Sequence, residues 1–295
     1  DRGTNKAGLK TRTVLLGDII NSPLVYASPT ANTASDSVDD NSYSTYLTNK
    51  AKSMNPNLLV NTNDGFVNVI STSGRRVYAY MPSSVLPNLH YVADTDYVNG
   101  TSHTFLADGQ ITVADAPQGK TWRTVALGGV GAGGKAFYAL QLFDDSAGNT
   151  IKALWEIRAP DTADTSNTFN DLGYAYAKPE VGRLQDGTWA AFISNGYGSA
   201  TGRAALYVVN LNTGAFISKL TTPIVKAGET DNGLSSVKLR LDAQGYVQYA
   251  YGGDLKGRLW KFNFTTSTKG VDPTTPLFTA AGEATQPITA QPVIG

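Results

Sequence analysis

The sequence predicts an all-β fold, a β-propeller of four-stranded blades. Three observations carry this reading. A unit of apolar strand, glycine-rich turn and second strand recurs along the chain, clearest in WRTVALGGVGAGGKAFYALQLFD (Trp122 to Asp144). Each copy is flanked by a further strand on either side, so four strands repeat in the same order. Long helical periodicities are absent, which leaves an α/β fold without its helices.

The first unit opens with Ser22-Pro23-Leu24-Val25, continues through NLLVNTNDGFVNVI (Asn57 to Ile70) and closes with Arg76 to Tyr80. The second runs from Gln110-Ile111-Thr112-Val113 through the Trp122 to Asp144 hairpin to Ala153 to Ile157. The third begins at Lys178-Pro179-Glu180-Val181, folds back through Thr188 to Gly214 and ends with Ala215 to Leu220. The fourth takes Ser236-Val237-Lys238-Leu239, the hairpin Tyr246 to Phe264, and Pro276 to Thr279. Gln291-Pro292-Val293-Ile294 is expected to open a fifth. Prolines at strand starts are compatible with a ladder, because no donor is needed there. Glycines supply the positive φ of tight hairpins. The strand after each hairpin carries Tyr138, Tyr207 or Trp260, with Val69 in the shorter copy.

Spacing between units is uneven, and the excess falls in two insertions. Ala27 to Pro56 begins as a polar, acidic loop, TANTASDSVDDNS, and ends in a segment with Tyr46, Leu47, Ala51 and Met54 at helical spacing. A short helix starting near Ser44 or Thr45 and ended by Pro56 is expected. Leu86 to Gly109 holds both histidines, His90 and His103, and is read as loop.

Composition narrows the function classes. Twenty-four basic residues balance twenty-four acidic ones, and only 16% of residues are charged. No basic stripe suits nucleic acid or an anionic membrane. There is no cysteine, which removes disulfides, thiolate metal sites and cysteine nucleophiles. No apolar run approaches the roughly 20 residues of a membrane span. The polar start, Asp1 to Lys6, has no signal-peptide pattern, and residues 1–295 read as one domain of a longer, secreted protein.

The glycine run Gly128 to Gly134 satisfies G-x-G-x-x-G, and Lys135 adds most of a phosphate loop. Both motifs require a following helix, whose N-terminal amides meet the phosphate. Ala136 to Leu142 reads as a strand, so the run is a hairpin turn. His90 and His103 share no metal-ligand spacing. The carboxylate pairs Asp39-Asp40 and Asp144-Asp145 stand in turn-like stretches rather than in an acid/base arrangement. No H-E-x-x-H or G-x-S-x-G occurs. Arg240-Leu241-Asp242-Ala243-Gln244-Gly245-Tyr246-Val247-Gln248 keeps the glycine and one carboxylate of a calcium loop. Its other ligand positions offer neutral amides and a cation.

Several phrases together resemble one family. They are Leu16-Gly17-Asp18-Ile19-Ile20-Asn21-Ser22-Pro23, Asn63-Asp64-Gly65, Trp122-Arg123-Thr124, Gly131-Ala132-Gly133-Gly134 with Tyr138-Ala139-Leu140, Asp171-Leu172-Gly173-Tyr174, Asn195-Gly196-Tyr197, and Tyr251-Gly252-Gly253-Asp254-Leu255 with Gly257 and Leu259-Trp260-Lys261-Phe262. From about Thr11 onward the chain resembles the C-terminal domain of PilC/PilY-type proteins, secreted proteins of the type IV pilus tip. The resemblance implies a modified seven-bladed propeller, of which about four blades are visible here. It implies a non-enzymatic role in pilus assembly, retraction control, twitching motility and attachment to host cells or surfaces. The implied partners are pilins or minor pilins and a host-cell or surface ligand, and the implied location is extracellular, outer membrane-associated or at the pilus tip. It also implies calcium in a D-x-[DN]-x-D-x-x-x-D loop before the Y-x-G-D phrase. That alignment puts Arg240, Asp242, Gln244 and Gln248 at the ligand positions, so the calcium loop is degenerate and no cofactor is expected there. The visible blades are expected to be completed by sequence beyond them or to stop within the propeller.

The leading reading is therefore an adhesion and assembly module whose insertions meet the partner. Tyr43 and Tyr46 of the first insertion and Tyr91, Tyr97 and Phe105 of the second are the binding candidates, because tyrosines among small polar residues suit contact surfaces. The alternatives are a quinoprotein-like propeller dehydrogenase and a carbohydrate-binding propeller.

Overall fold

The computed structural model describes residues 8–10, 14, 16–36, 40–97, 103–161, 164 and 166–295. Four antiparallel sheets of four strands follow one another along the chain. The first holds β1 (Val25–Ala27), β2 (Asn57–Thr62), β3 (Phe66–Ser71) and β4 (Arg76–Tyr80). The second holds β5 (Ile111–Gln118), β6 (Thr121–Gly129), β7 (Ala136–Asp144) and β8 (Lys152–Arg158). The third holds β9 (Glu180–Arg183), β10 (Trp189–Ser194), β11 (Ala205–Asn210) and β12 (Phe216–Thr221). The fourth holds β13 (Lys238–Leu241), β14 (Val247–Gly253), β15 (Arg258–Asn263) and β16 (Phe278–Thr279). In every sheet neighbours in sequence are neighbours in space, which is the meander of a propeller blade.

Three apolar layers lie between successive blades. Leu59, Val67 and Val69 of blade 1 meet Ala126, Leu140 and Leu142 of blade 2. Val125, Leu127 and Phe137 from the opposite face of blade 2 meet Ala191, Ile193 and Val209 of blade 3. Ala190, Phe192 and Val208 on the other face of blade 3 meet Val247, Trp260 and Phe262 of blade 4. The period-two switch from one layer to the next follows from side chains alternating across a strand. It also explains why β7 is apolar along most of its length: all nine residues are buried, because both faces of blade 2 are covered. Val69, Tyr138, Tyr207 and Trp260 are all buried.

The first strands are the inner edges, where β1 packs beside β5 and β9 beside β13. Across that inner edge Lys238 Nζ lies 3.1 Å from Glu180 Oε2. Gln291 to Ile294 forms no strand. Gln291 Nε2 instead donates to Glu180 Oε1 at 2.9 Å and to the Val237 carbonyl at 2.7 Å, so its hydrogen bonds go to the inner edge through a side chain.

The first insertion contains α1 (Ser42–Ser53). Its first-turn amides are met by carboxylates: Asp40 Oδ1 accepts from the Ser42 amide at 2.9 Å and Asp36 Oδ1 from the Ser44 amide at 3.1 Å. Negative charge there also suits the helix dipole. Lys50 and Lys52 lie in the last turn, Met54 turns extended, and Pro56 prevents continuation. The second insertion is not simply loop. A 3-10 helix (Ser83–Asn88) leads into α2 (Leu89–Ala93). Five helical residues after Pro87 are too few to show a 3.6-residue period, so the sequence carried no helical signal there.

Candidate functional site

The meander sorts the connections by end. The links from first to second and from third to fourth strands stand at one end of the blades. The second-to-third hairpins and the connections between blades stand at the other. The two insertions are therefore on opposite ends: the first lies between β1 and β2, the second between β4 and β5.

Within the first insertion, the tyrosines expected to meet a partner are turned inward. Tyr43 and Tyr46 are 2% and 1% exposed. Tyr43 packs against Trp122 with ring centres 4.6 Å apart, and Tyr46 against Trp122 at 5.9 Å and Phe143 at 6.1 Å. The reason is the face of α1 on which they lie. Tyr43, Tyr46 and Lys50 share one stripe at helical spacing, and that stripe docks on blade 2. Lys50 Nζ donates to both carboxylate oxygens of Asp115, at 2.9 and 2.8 Å, and to the Ala31 carbonyl at 3.0 Å. Asp115 also accepts from the Tyr43 hydroxyl at 2.8 Å and the Thr124 hydroxyl at 2.7 Å. Burial pushes the Tyr43 phenol up to about 12, and the Asp115 charge adds to this. The cluster is a clasp between the insertion and blade 2, not a contact surface.

At the same end lies the hairpin between β13 and β14, the degenerate calcium loop. Gly245 takes φ +81° at its tip. Asp242 Oδ1 accepts from the amides of Gln244 at 3.0 Å and Tyr246 at 2.8 Å, so its carboxylate caps the turn. Arg240 Nη1 donates to Gln248 Oε1, and the Arg240 guanidinium lies 5.8 Å from the Tyr249 ring centre. Arg183 donates to the Gln244 carbonyl and stacks 4.1 Å from the Tyr246 ring. Calcium needs several convergent anionic or carbonyl oxygens. Here one carboxylate oxygen is engaged by amides and two guanidinium groups flank the turn. These residues do not fit the ion.

At the opposite end, each connection between blades is bonded to a hairpin tip. The Gly131 amide donates to the Ala175 carbonyl at 3.1 Å, the Tyr174 amide to Tyr197 at 2.7 Å, and the Gly196 amide to Leu234 at 3.2 Å. The glycine run of blade 2 is the tip between β6 and β7, followed by a strand. A Cβ on Gly129 would stand 2.4 Å from the Ala175 carbonyl oxygen, and one on Gly133 would stand 1.6 Å from that of Leu106. The glycines admit neighbouring backbone rather than phosphate.

Of the second insertion's candidates, Tyr91 is 52% exposed and stacks near His90 at 3.9 Å. Tyr97 and Phe105 are half-buried around His103, with ring centres 6.3 and 4.6 Å from it. Lys10 Nζ lies 5.0 Å over the Tyr97 ring. Tyr174 and Tyr176, which the motif reading did not single out as contacts, are exposed on this same end. Tyr176 and Tyr197 are 5.7 Å apart, and Lys135 stands 5.5 Å over Tyr174. The alternation Tyr174-Ala175-Tyr176-Ala177 was the available signal: both alanines are buried and both tyrosines face outward.

Asp144 and Asp40, one member of each carboxylate pair, are used in a turn and a helix start. Asp144 Oδ1 accepts from the Ser146 amide and hydroxyl and the Ala147 amide, and Arg123 Nε lies 2.8 Å from its other oxygen. Burial would raise this carboxyl, but those donors and the Arg123 charge outweigh it and hold it below the usual range. Asp40 caps α1, and Asp39 lies outside the described residues. Among the described residues no group of three His, Asp or Glu side chains could hold a metal ion. No helix among them is long and apolar enough to cross a membrane.

Comparison with known proteins places this architecture. The family model described as the PilY1 beta-propeller domain matches residues 16–286. The type IV pilus biogenesis factor PilY1 of Pseudomonas aeruginosa is 38% identical over 268 residues, covering 89% of this chain and 22% of that protein. A PilY1 homolog of Xylella fastidiosa is 37% identical over 284 residues, covering 91% of this chain and 18% of the homolog. The chain thus spans about a fifth of the length of these relatives. The crystal structure of the P. aeruginosa PilY1 C-terminal domain superposes with a TM-score of 0.69 at 35% identity, covering 85% of this chain and 52% of that one.

Proposed function

Because the chain belongs to the PilY1 β-propeller family, we propose that it serves type IV pilus biogenesis as a non-enzymatic module for assembly and attachment at the pilus tip. The match over residues 16–286, with relatives named as type IV pilus biogenesis factors, carries this reading. Pilins or minor pilins and a surface ligand are its partners, and the cell surface or pilus tip is its place. Retraction control, twitching motility and host attachment follow from the same role. The use of Asp144 and the glycine run in building turns supports a non-enzymatic reading. The connection end of the blades, with Tyr91, Tyr97 and Phe105, is the face offered to partners. Loops on a rigid scaffold are suited to this. The hairpin at Arg240 to Gln248 works without calcium.

Deleting the gene and scoring surface pili and attachment separately tests the reading. Loss of surface pili, restored by complementation, is expected. Normal pili with normal attachment would overturn it.

A further inference from the structure

A cleft of 390 Å³ opens at the end of blade 1 that carries α1. It is formed where four stretches of chain meet. These are the exit of the first insertion, the turn after β3, the strand β4 and the turn before β8. We propose that this cleft binds a neutral saccharide.

The chemistry of the lining carries the assignment. Asn55, Asn57, Thr72 and Asn149 supply amides and a hydroxyl. Pro56, Val77, Tyr78 and Ile151 supply apolar walls, and Ser71 completes the lining. None of these residues is Asp, Glu, Lys, Arg or His. A phosphate, a carboxylate or a cation would find no charge partner. Amides and hydroxyls present donors and acceptors side by side, which is what a ring of hydroxyl groups requires. The apolar part of the lining suits the C–H face of a pyranose, since ligand sites combine apolar walls with a few placed polar groups.

The polar groups are held rather than loose. Asn149 Oδ1 accepts from the Asn55 amide at 2.7 Å, and Asn149 Nδ2 donates to the Ser53 carbonyl at 2.8 Å. Asn57, 4% exposed, donates from Nδ2 to the Asn55 carbonyl at 2.9 Å, which fixes its amide with Oδ1 as the remaining acceptor. Pre-set donors and acceptors lower the ordering cost of binding. The volume lies near the small end of the roughly 300–1,000 Å³ of ligand sites, which suits one or two sugar rings.

This assignment goes beyond the pilus reading and stands on the cleft alone. A silent cleft leaves the pilus role standing, and normal piliation leaves the cleft untouched. The test is a ligand-observed NMR titration of the full chain with chitobiose, maltose, lactose and cellobiose, with glucuronate as a charged control. At least one neutral disaccharide should bind saturably, and glucuronate should not. Val77→Arg, placed on a half-exposed position of the cleft wall, should weaken that binding at least tenfold with the melting temperature kept. Thr72→Lys, in the exposed turn, serves the same end if the first variant folds poorly. Absence of binding by all four neutral disaccharides, or binding that survives both variants, would overturn the proposal.

Discussion

Arg240 donates from its guanidinium to the side-chain oxygen of Gln248, tying together the two strands on either side of the β13–β14 turn. The family resemblance implies aspartates at those two positions, with a calcium ion between them. Here the positive charge is part of the chain. Arg240 pairs with Tyr249 in register, and the register shifts immediately after it, which leaves Gln248 opposite no partner residue and free to reach back. A bulge re-aims a side chain in this way.

The hairpin should therefore be indifferent to calcium. Melting curves with millimolar calcium or with chelator are expected to superimpose. The combined substitution Arg240→Asp, Gln244→Asp and Gln248→Asp removes the internal cation and restores three carboxylates. Calorimetry of that variant should show calcium binding that the parent lacks. Calcium heat in the parent, abolished by Asp242→Ala, would refute the argument.

The clasp between Lys50 and Asp115 sets a second expectation. Both side chains are 1% exposed. Removing one partner leaves a buried charge, which costs about 3–5 kcal/mol. Lys50→Met should lower stability by about that amount in denaturant unfolding, and Asp115→Leu likewise. The double variant should lose less than the two single losses summed, since an apolar pair leaves no orphaned charge, but it stays below the parent because the Tyr43 and Thr124 hydroxyls lose their acceptor. Additive losses would show that the two residues are not coupled.

Glu229 gives a dependence on acid. Its carboxylate receives two hydrogen bonds from the buried Arg258 guanidinium, and chiefly for that reason its pKa falls from 4.5 to about 2. A depressed carboxylate stabilises the fold fully above its unfolded pKa and loses that contribution as pH falls through the folded one. Stability measured from pH 6 down to pH 2 should thus decline less steeply in Glu229→Gln than in the parent. Parallel curves would remove Glu229 from the acid response.

Two glycines of one run should behave oppositely. A Cβ on Gly133 would meet the Leu106 carbonyl at 1.6 Å, whereas one on Gly134 finds its nearest neighbour, a Val130 methyl, at 3.4 Å. Gly133→Ala is expected to cost about 1–3 kcal/mol or more through displaced backbone. Gly134→Ala should fall within about 1 kcal/mol of the parent by thermal unfolding. Equal effects would contradict the close approach of the connecting segment.

Much of the fold was legible because blades repeat. The fourth strand of blade 1 occupies Arg76–Tyr80, as the sequence indicates, and three others lie within two residues of their expected limits. First strands begin later than expected, since Ser22-Pro23 and Lys178-Pro179 belong to connections whose bonds go elsewhere. The site was less legible. Helical spacing marked Tyr46 as part of a stripe but could not say that blade 2 covers it. Lys50 looks like a solvated lysine until Asp115, 65 residues away, is placed beside it. The nine residues lining the cleft beside blade 1 come from four separate stretches of chain, and no local pattern joins them.

Strand β7, nine residues without an exposed position, has a further consequence. It offers no side on which one protein can differ from another without disturbing a neighbour. Among relatives, divergence should thus gather in the turns and insertions at the blade ends, while β7 drifts only by exchanging apolar side chains of similar bulk. The blade ends can then change from one family member to the next without redesign of the scaffold.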